Sequence, residues 1–327
     1  MWSRLAVAWN WLPVIVRAIV LGWLVLTIGS IIPFLPLFGN LKFHPDIPWA
    51  FPITLLILAL YWAYFSGWGP PATTRDARRK FARFSWPAPR IWGAAIPAIF
   101  FGVIGIVAMR LLLPSVLPVA APSVAIALSS YPQATVIGAL LSIAAIAAVT
   151  EEIAFRGYMQ QPLEERYGIV PAVLVVGVMF WVAHLDHGIT ITHLPFHIAA
   201  SVALGLLAYL TRSLVPAMIP HFVGDIFLQP AYLFRYPEFV WNALSARPVW
   251  DGVASAFPEK LRIVGSALSP QHMFVVGDPF RAIAIIAWIF LMSAMLTIIA
   301  FLNLMRVTRR SHTELSSLAQ ARGPSHC

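Results

Sequence analysis

From Leu111 to Thr150, forty consecutive residues carry no charged side chain, and the run ends in VTEEIAFRGYM, where two adjacent carboxylates, Glu151 and Glu152, precede Arg156. A helix that crosses a bilayer needs roughly 17–25 predominantly apolar residues. Stretches of that kind recur along the chain: Ala18–Leu37, Ile47–Phe65, Ile91–Met109, Ala134–Thr150, Ile169–Leu185, Leu194–Leu210, Leu214 to about Phe234 with His221 and Asp225 inside it, and Ala282–Met305. With 60% of its residues hydrophobic and 11% charged, most of the chain cannot stay monomeric in water. The expected fold is an all-α polytopic membrane helical bundle of about eight transmembrane helices, with the polar site inside it.

The formal net charge of +9 raises nucleic acid as a partner, but the distribution of the charge argues for the bilayer instead. Arg75, Arg78, Arg79, Lys80, Arg83 and Arg90 crowd the connection between the second and third spans, and Arg306, Arg309, Arg310 and Arg322 fill the tail. Both segments fit the positive-inside rule. Eight spans with both termini cytoplasmic put them on one side and the uncharged connection 111–133, with Ser123, on the other. The basic loop then orients the chain and meets anionic headgroups. No cleavable signal peptide is evident, because the first apolar segment is long and contains Arg17. Cys327 is the single cysteine, so no internal disulfide forms. An integral, multi-pass protein of a bacterial or archaeal inner membrane is expected.

The spans divide by content. Residues 1–133 hold about three spans and the basic loop; residues 134–235 hold about four, which carry the interior ionisable groups; residues 236–327 hold an extramembrane loop from about Tyr236 to Asp278, the last span and the basic tail. A charged side chain near the bilayer centre costs about 2.5–3.5 kcal/mol even on the lenient insertion scale. Glu151, Glu152, Arg156, His184, His221 and Asp225 therefore need partners or a purpose.

Helical spacing separates them. Glu152 and Arg156 stand four apart in the favourable Glu-before-Arg order and can pair on one face. Glu151 is rotated away by about 100°, which leaves it without a local cation. Such a carboxylate in a desolvated bundle suits a general base that activates water; alternatively both glutamates satisfy helix ends or boundary polarity. Phe180 and His184 share one face, as do His221 and Asp225. A carboxylate one turn from an imidazole fixes its tautomer or stabilises its cation, while interhelical hydrogen bonding is the plainer role for a membrane histidine. Asp186, His187, His193 and His197 form a second polar cluster around the connection between the fifth and sixth spans. There Pro195 marks a helix start, and solvated residues at the mouth of the bundle are expected. Ser201 and Gly205 have the spacing of a close helix contact.

Glu-Glu-x-x-x-Arg (Glu151, Glu152, Arg156), Phe-x-x-x-His (Phe180, His184) and His-x-x-x-Asp (His221, Asp225), in that order on successive apolar segments, resemble the CPBP family of intramembrane proteases. That family includes CAAX prenyl endopeptidases and bacterial bacteriocin-processing or self-immunity proteins. The likeness covers about Ala134 to Leu233, and the flanking spans match only in being apolar. It implies that Glu151 activates the attacking water, that His184 and His221 contact the water or the developing oxyanion, and that Arg156 with Glu152 holds the site together. Asp225 stands where the prenyl endopeptidases have asparagine. An amide donates to an oxyanion and an ionised carboxylate does not, so Asp225 either orients His221 or ligates a metal.

Two mechanisms follow, and the metal-free, glutamate-dependent one is favoured, with no cofactor. The alternative is zinc held by His184, His221 and Asp225 or Glu151, with the remaining carboxylate as base; the helical zinc signature His-Glu-x-x-His is absent. The expected partners are the bilayer and a membrane-associated peptide or protein substrate. From other classes, a transporter would use the same groups as an ion relay, although no inverted repeat is apparent, and an immunity or scaffold protein would keep the fold without the reaction.

Overall fold

The computed structural model describes residues 9, 11–116, 131–185, 191–233 and 279–321. Every apolar segment expected to span is helical among them: α1 (Val14–Phe43), α2 (Ala50–Phe65), α4 (Pro89–Val116), α5 (Gln133–Ile146), α7 (Ile169–Val182), α8 (Leu194–Thr211), α9 (Val215–Leu233) and α10 (Pro279–Ala321). The eight-residue α3 (Arg75–Ala82) occupies the basic loop. The chain is a helical membrane bundle, as lipid demands of a backbone that must satisfy its own hydrogen bonds. Five of the helical stretches are long and apolar enough to cross a bilayer: Val14–Phe43, Pro89–Leu113, Ala134–Tyr167, Ile191–Thr211 and Ile283–Ser311. Ala50–Phe65 and Ile169–Val182 are apolar but shorter. The loop expected from Tyr236 to Asp278 lies outside the described residues, as do Ser123, Asp186 and His187.

The fourth segment departs from expectation. Hydropathy ends it at Thr150, yet the helix runs on through a π-helical stretch, Ala147–Gln160, into α6 (Gln161–Tyr167). The charges of the Glu-Glu-x-x-x-Arg motif thus sit in mid-helix, where neighbouring helices bury them. This long helix is also the most enclosed: 56% of its apolar window is buried, against 11% for Ile283–Ser311.

Between helices in lipid the hydrophobic effect supplies little, so small residues that allow close contact do much of the packing. Gly205 on α8 meets α7 and the π-helical stretch closely enough that an added Cβ would lie 2.9 Å from Val173 Cγ1 and 2.6 Å from Gln160 Oε1. The Ser201 and Gly205 spacing is therefore a packing contact, as expected. On the other side α1 covers the π-helical stretch, where Ala18 joins Phe155, Met159 and Leu163 in one buried cluster with Ala172, Val176 and Phe180 of α7.

The two ends of the bundle differ. At one end the basic loop is clamped to α6 and to the turn after α8. Arg83 pairs with Glu164, Lys80 Nζ lies 2.9 Å from Glu165 Oε2, the Ser213 hydroxyl donates to the Ser85 carbonyl at 2.6 Å, and Leu214 N–H donates to the Arg83 carbonyl at 3.3 Å. Arg78 departs from the headgroup role expected of this loop. It is 2% exposed, donates to the Gly69 and Pro70 carbonyls, and lies over the Tyr64 ring at 4.0 Å. At the opposite end Asn40 gathers the α1–α2 turn, donating to the His44 and Ile47 carbonyls and accepting from Ala50 N–H, and Thr135 at the start of α5 donates to the Pro45 carbonyl. Antiparallel packing of α10 on α4, with Ser293 beside Gly105 and Thr297 beside Gly102, carries Arg306, Arg309 and Arg310 toward the basic end.

Candidate active site

Glu151, Phe180, His184, His221 and Asp225 come from three helical elements and line one cavity of about 130 Å³. The rest of its wall is almost entirely apolar, with Ile99, Val103 and Ile106 of α4 and Phe196, Ala200 and Leu204 of α8. Counted from the basic end at 1.5 Å per residue, Asp225 lies roughly 15 Å along α9 from Val215, and His184 roughly 22 Å from the start of α7. The site therefore sits in the middle of the bundle and in the half away from the basic loop.

Beneath the cavity floor is a fully buried polar core. Arg156 Nη1 donates to Glu152 Oε1 at 2.9 Å, with both side chains 0% exposed. The same oxygen accepts from His221 Nδ1 at 2.7 Å. The Arg156 guanidinium also lies over the Phe180 ring at 4.9 Å, a cation–π contact that balances part of its desolvation. The spacing-based pairing of Glu152 with Arg156 holds in the structure even though the local hydrogen bonding is π rather than α. Glu152 links two helices, a connection that spacing within one segment does not show.

Glu151 points the other way. Its side chain is 17% exposed, and its Oε2 is 3.7 Å from His221 Nε2, beyond a direct hydrogen bond. Asp225 Oδ2, on a side chain 24% exposed, lies 3.9 Å from the same nitrogen. His221 thus faces carboxylate oxygens with both ring nitrogens. One bond to Glu152 fixes the ring, and the Nε2 side looks toward Glu151 and Asp225 from just beyond direct hydrogen-bond reach. His184 lies just past the end of α7 and is held by its Nδ1–H, which donates to the Phe180 carbonyl at 2.6 Å. Its ring packs on Phe180 with centroids 4.7 Å apart.

The second polar cluster is corrected by the structure. His193 and His197 are not solvated: they are 1% and 2% exposed. Pro195 does stand in the first turn of α8, as its sequence position implied. His197 Nδ1–H donates to the His193 carbonyl at 2.9 Å, and its ring lies 4.9 Å from that of His184 and lines the cavity. The four-residue spacing was visible in the sequence. Burial was not, because it comes from α4 and α7 folding over the start of α8.

Among the described residues no three of His, Cys, Asp and Glu converge as a group placed to hold a metal ion. His221 and His184 are each held through Nδ1–H, by Glu152 and by the Phe180 carbonyl.

Comparison with curated proteins and with solved structures finds no match. Residues 132–227 match the family model described as Rce1-like, type II CAAX prenyl endopeptidase Rce1-like. The matched stretch contains Glu151, Glu152, Arg156, Phe180, His184, His221 and Asp225, the residues that meet at the cavity and beneath it. Over residues 132–227 the chain is thus similar to the Rce1-like type II CAAX prenyl endopeptidases, in the stretch that carries the three motifs.

Proposed function

We propose that the protein is an endopeptidase that hydrolyses a peptide bond in an apolar stretch of a membrane-associated polypeptide, with Glu151 as general base. The observation that carries this reading is the division of the two adjacent glutamates: Glu152 is bonded to Arg156 and His221 at 2.9 and 2.7 Å, whereas Glu151 faces the cavity and His221 across 3.7 Å. A water in the cavity beside Glu151 and His221 gives its proton to Glu151 as its oxygen attacks the scissile carbonyl, and Glu151 passes the proton to the departing amine as the C–N bond breaks. His221, donating from Nδ1 to Glu152, accepts from the water at Nε2 or, as the imidazolium, donates there to the oxyanion. His184, locked on the Phe180 carbonyl, lines the same space and supplies transition-state electrostatics from the other wall. Asp225 orients His221. Every step above uses the chain's own residues.

The apolar wall accounts for the substrate class. A peptide segment beside Ile99, Val103, Ile106 and Phe196 meets few polar partners, so apolar residues or a lipid-modified tail flank the bond that is cut. Prenylated C-terminal peptides of the kind named by the matching family, and apolar tails of exported proteins, both satisfy this. The test is cleavage of a labelled library of such peptides by purified protein in lipid nanodiscs, beside Glu151→Gln. Wild type should cleave and Glu151→Gln should not, while remaining monodisperse at normal yield. Undiminished turnover by folded Glu151→Gln would overturn the assignment. An ion relay instead predicts proton or ion flux in liposomes and no cleavage.

A further inference from the structure

We infer that His197 is a substrate-binding residue, accepting a hydrogen bond from a backbone N–H of the polypeptide held in the cavity. This inference rests on the peptidase reading for the identity of the ligand, and on the geometry of His197 for the site.

Burying an imidazole is unfavourable unless its nitrogens are used. His197 is 2% exposed, yet the structure accounts for one nitrogen only. The His193 carbonyl can only accept, so Nδ1 carries the hydrogen in that 2.9 Å bond. In the neutral ring Nε2 is then a bare lone pair. No partner for it is found among the described residues, and His197 lines the cavity beside Glu151, His184 and His221. The ring cannot turn away easily. It is wedged edge-on against Phe196 with centroids 5.2 Å apart, against His184 at 4.9 Å and against Phe180 at 5.8 Å. Phe196 is in turn covered by the Arg110 guanidinium at 5.9 Å. A fixed acceptor in a mostly apolar pocket is what an extended peptide lacks along an apolar wall, and its own N–H groups supply the donor. The α8 helix thus provides a register mark for the chain about one ring away from His184.

The test uses full-length protein in nanodiscs. The binding probe is a dansylated tetrapeptide amide, Ala-Val-Ile-Leu, with each backbone N–H methylated in turn, measured on Glu151→Gln protein so that cleavage plays no part. The same His197 variants are assayed for turnover on the Glu151 background with the library peptide that wild type cleaves fastest. One N-methylation should weaken binding by about three- to tenfold, the worth of a neutral hydrogen bond. In His197→Phe, which keeps a ring but has no acceptor, that same methylation should cost nothing, and KM should rise with little change in kcat. His197→Gln, whose amide oxygen reaches the position of Nε2, should restore part of the difference. Equal methylation penalties with His and with Phe at 197, or no measurable binding of the parent peptide, would overturn the inference. Absence of cleavage by wild type alongside intact methylation coupling would count against the peptidase reading and leave the binding site standing.

Discussion

Replacing Arg156 with methionine keeps the volume of the side chain and removes its charge. The guanidinium is 0% exposed and shares Glu152 Oε1 with His221, at 2.9 and 2.7 Å. Removing one member of a buried ion pair typically costs about 3–5 kcal/mol, because the other charge stays buried without compensation. The contact over Phe180 at 4.9 Å is lost too, and contacts of that kind are worth about 0.5–2 kcal/mol. Against a total stability of about 5–15 kcal/mol for a typical domain, Arg156→Met should lower both the yield of monodisperse protein and the thermal midpoint in detergent, and it should do so well beyond Glu151→Gln. Glu152→Gln should act similarly by stranding Arg156. The double variant Glu152→Gln/Arg156→Met should recover most of the lost stability, since no charge is left unpaired and the glutamine oxygen still accepts from His221 Nδ1–H. Melting followed by size-exclusion recovery measures all four proteins. If Arg156→Met melts with Glu151→Gln, or if the double variant is as unstable as the sum of the singles, then the pair is not the buried anchor described above.

Two further perturbations probe neighbouring parts. Asp225→Asn should keep substantial turnover and leave it indifferent to chelators, because asparagine still orients His221; stoichiometric zinc in wild-type protein, lost together with activity in this variant, would instead assign Asp225 to a metal. Gly157→Ala should cut yield, since its Cβ would stand 2.7 Å from the Phe81 carbonyl oxygen, where backbone must shift to make room; wild-type yield and melting would show that the basic loop does not press on the π-helical stretch.

The parts of this structure that sequence discloses are those set by local physics. Apolar length gave the eight helical segments, and the i,i+4 rule gave the bond between Glu152 and Arg156. Segment ends were less legible where polar residues are buried by tertiary contact. Hydropathy breaks at Glu151, although the helix continues to Tyr167 because α1, α7 and α9 enclose the charges. The same cause hid His197, whose polar character suggests solvent until α4 and α7 are seen around it, and Arg78, whose place among basic neighbours conceals the carbonyls of Gly69 and Pro70 that it binds. The π hydrogen bonding of Ala147–Gln160 has no local signature at all, since it is a choice of register within an already helical segment. The bond between Glu152 and His221 spans 69 positions in the chain, and no periodicity reports a contact at that distance.

That bond has an implication for how such a protein is made safely. A peptidase assembled in a membrane passes through states in which its helices have inserted but not yet met. Glu152 Oε1 is a single atom that serves both the cation holding its own helix and the imidazole of a helix inserted later. Until α9 arrives, His221 is not beside Glu151 and the proposed site is incomplete; once it has arrived, one contact both closes the site and ties α9 to the buried core, with α10 still to pack on α4. On the proposed mechanism, a half-built or misassembled copy is disarmed by the same missing contact that marks it as unfinished.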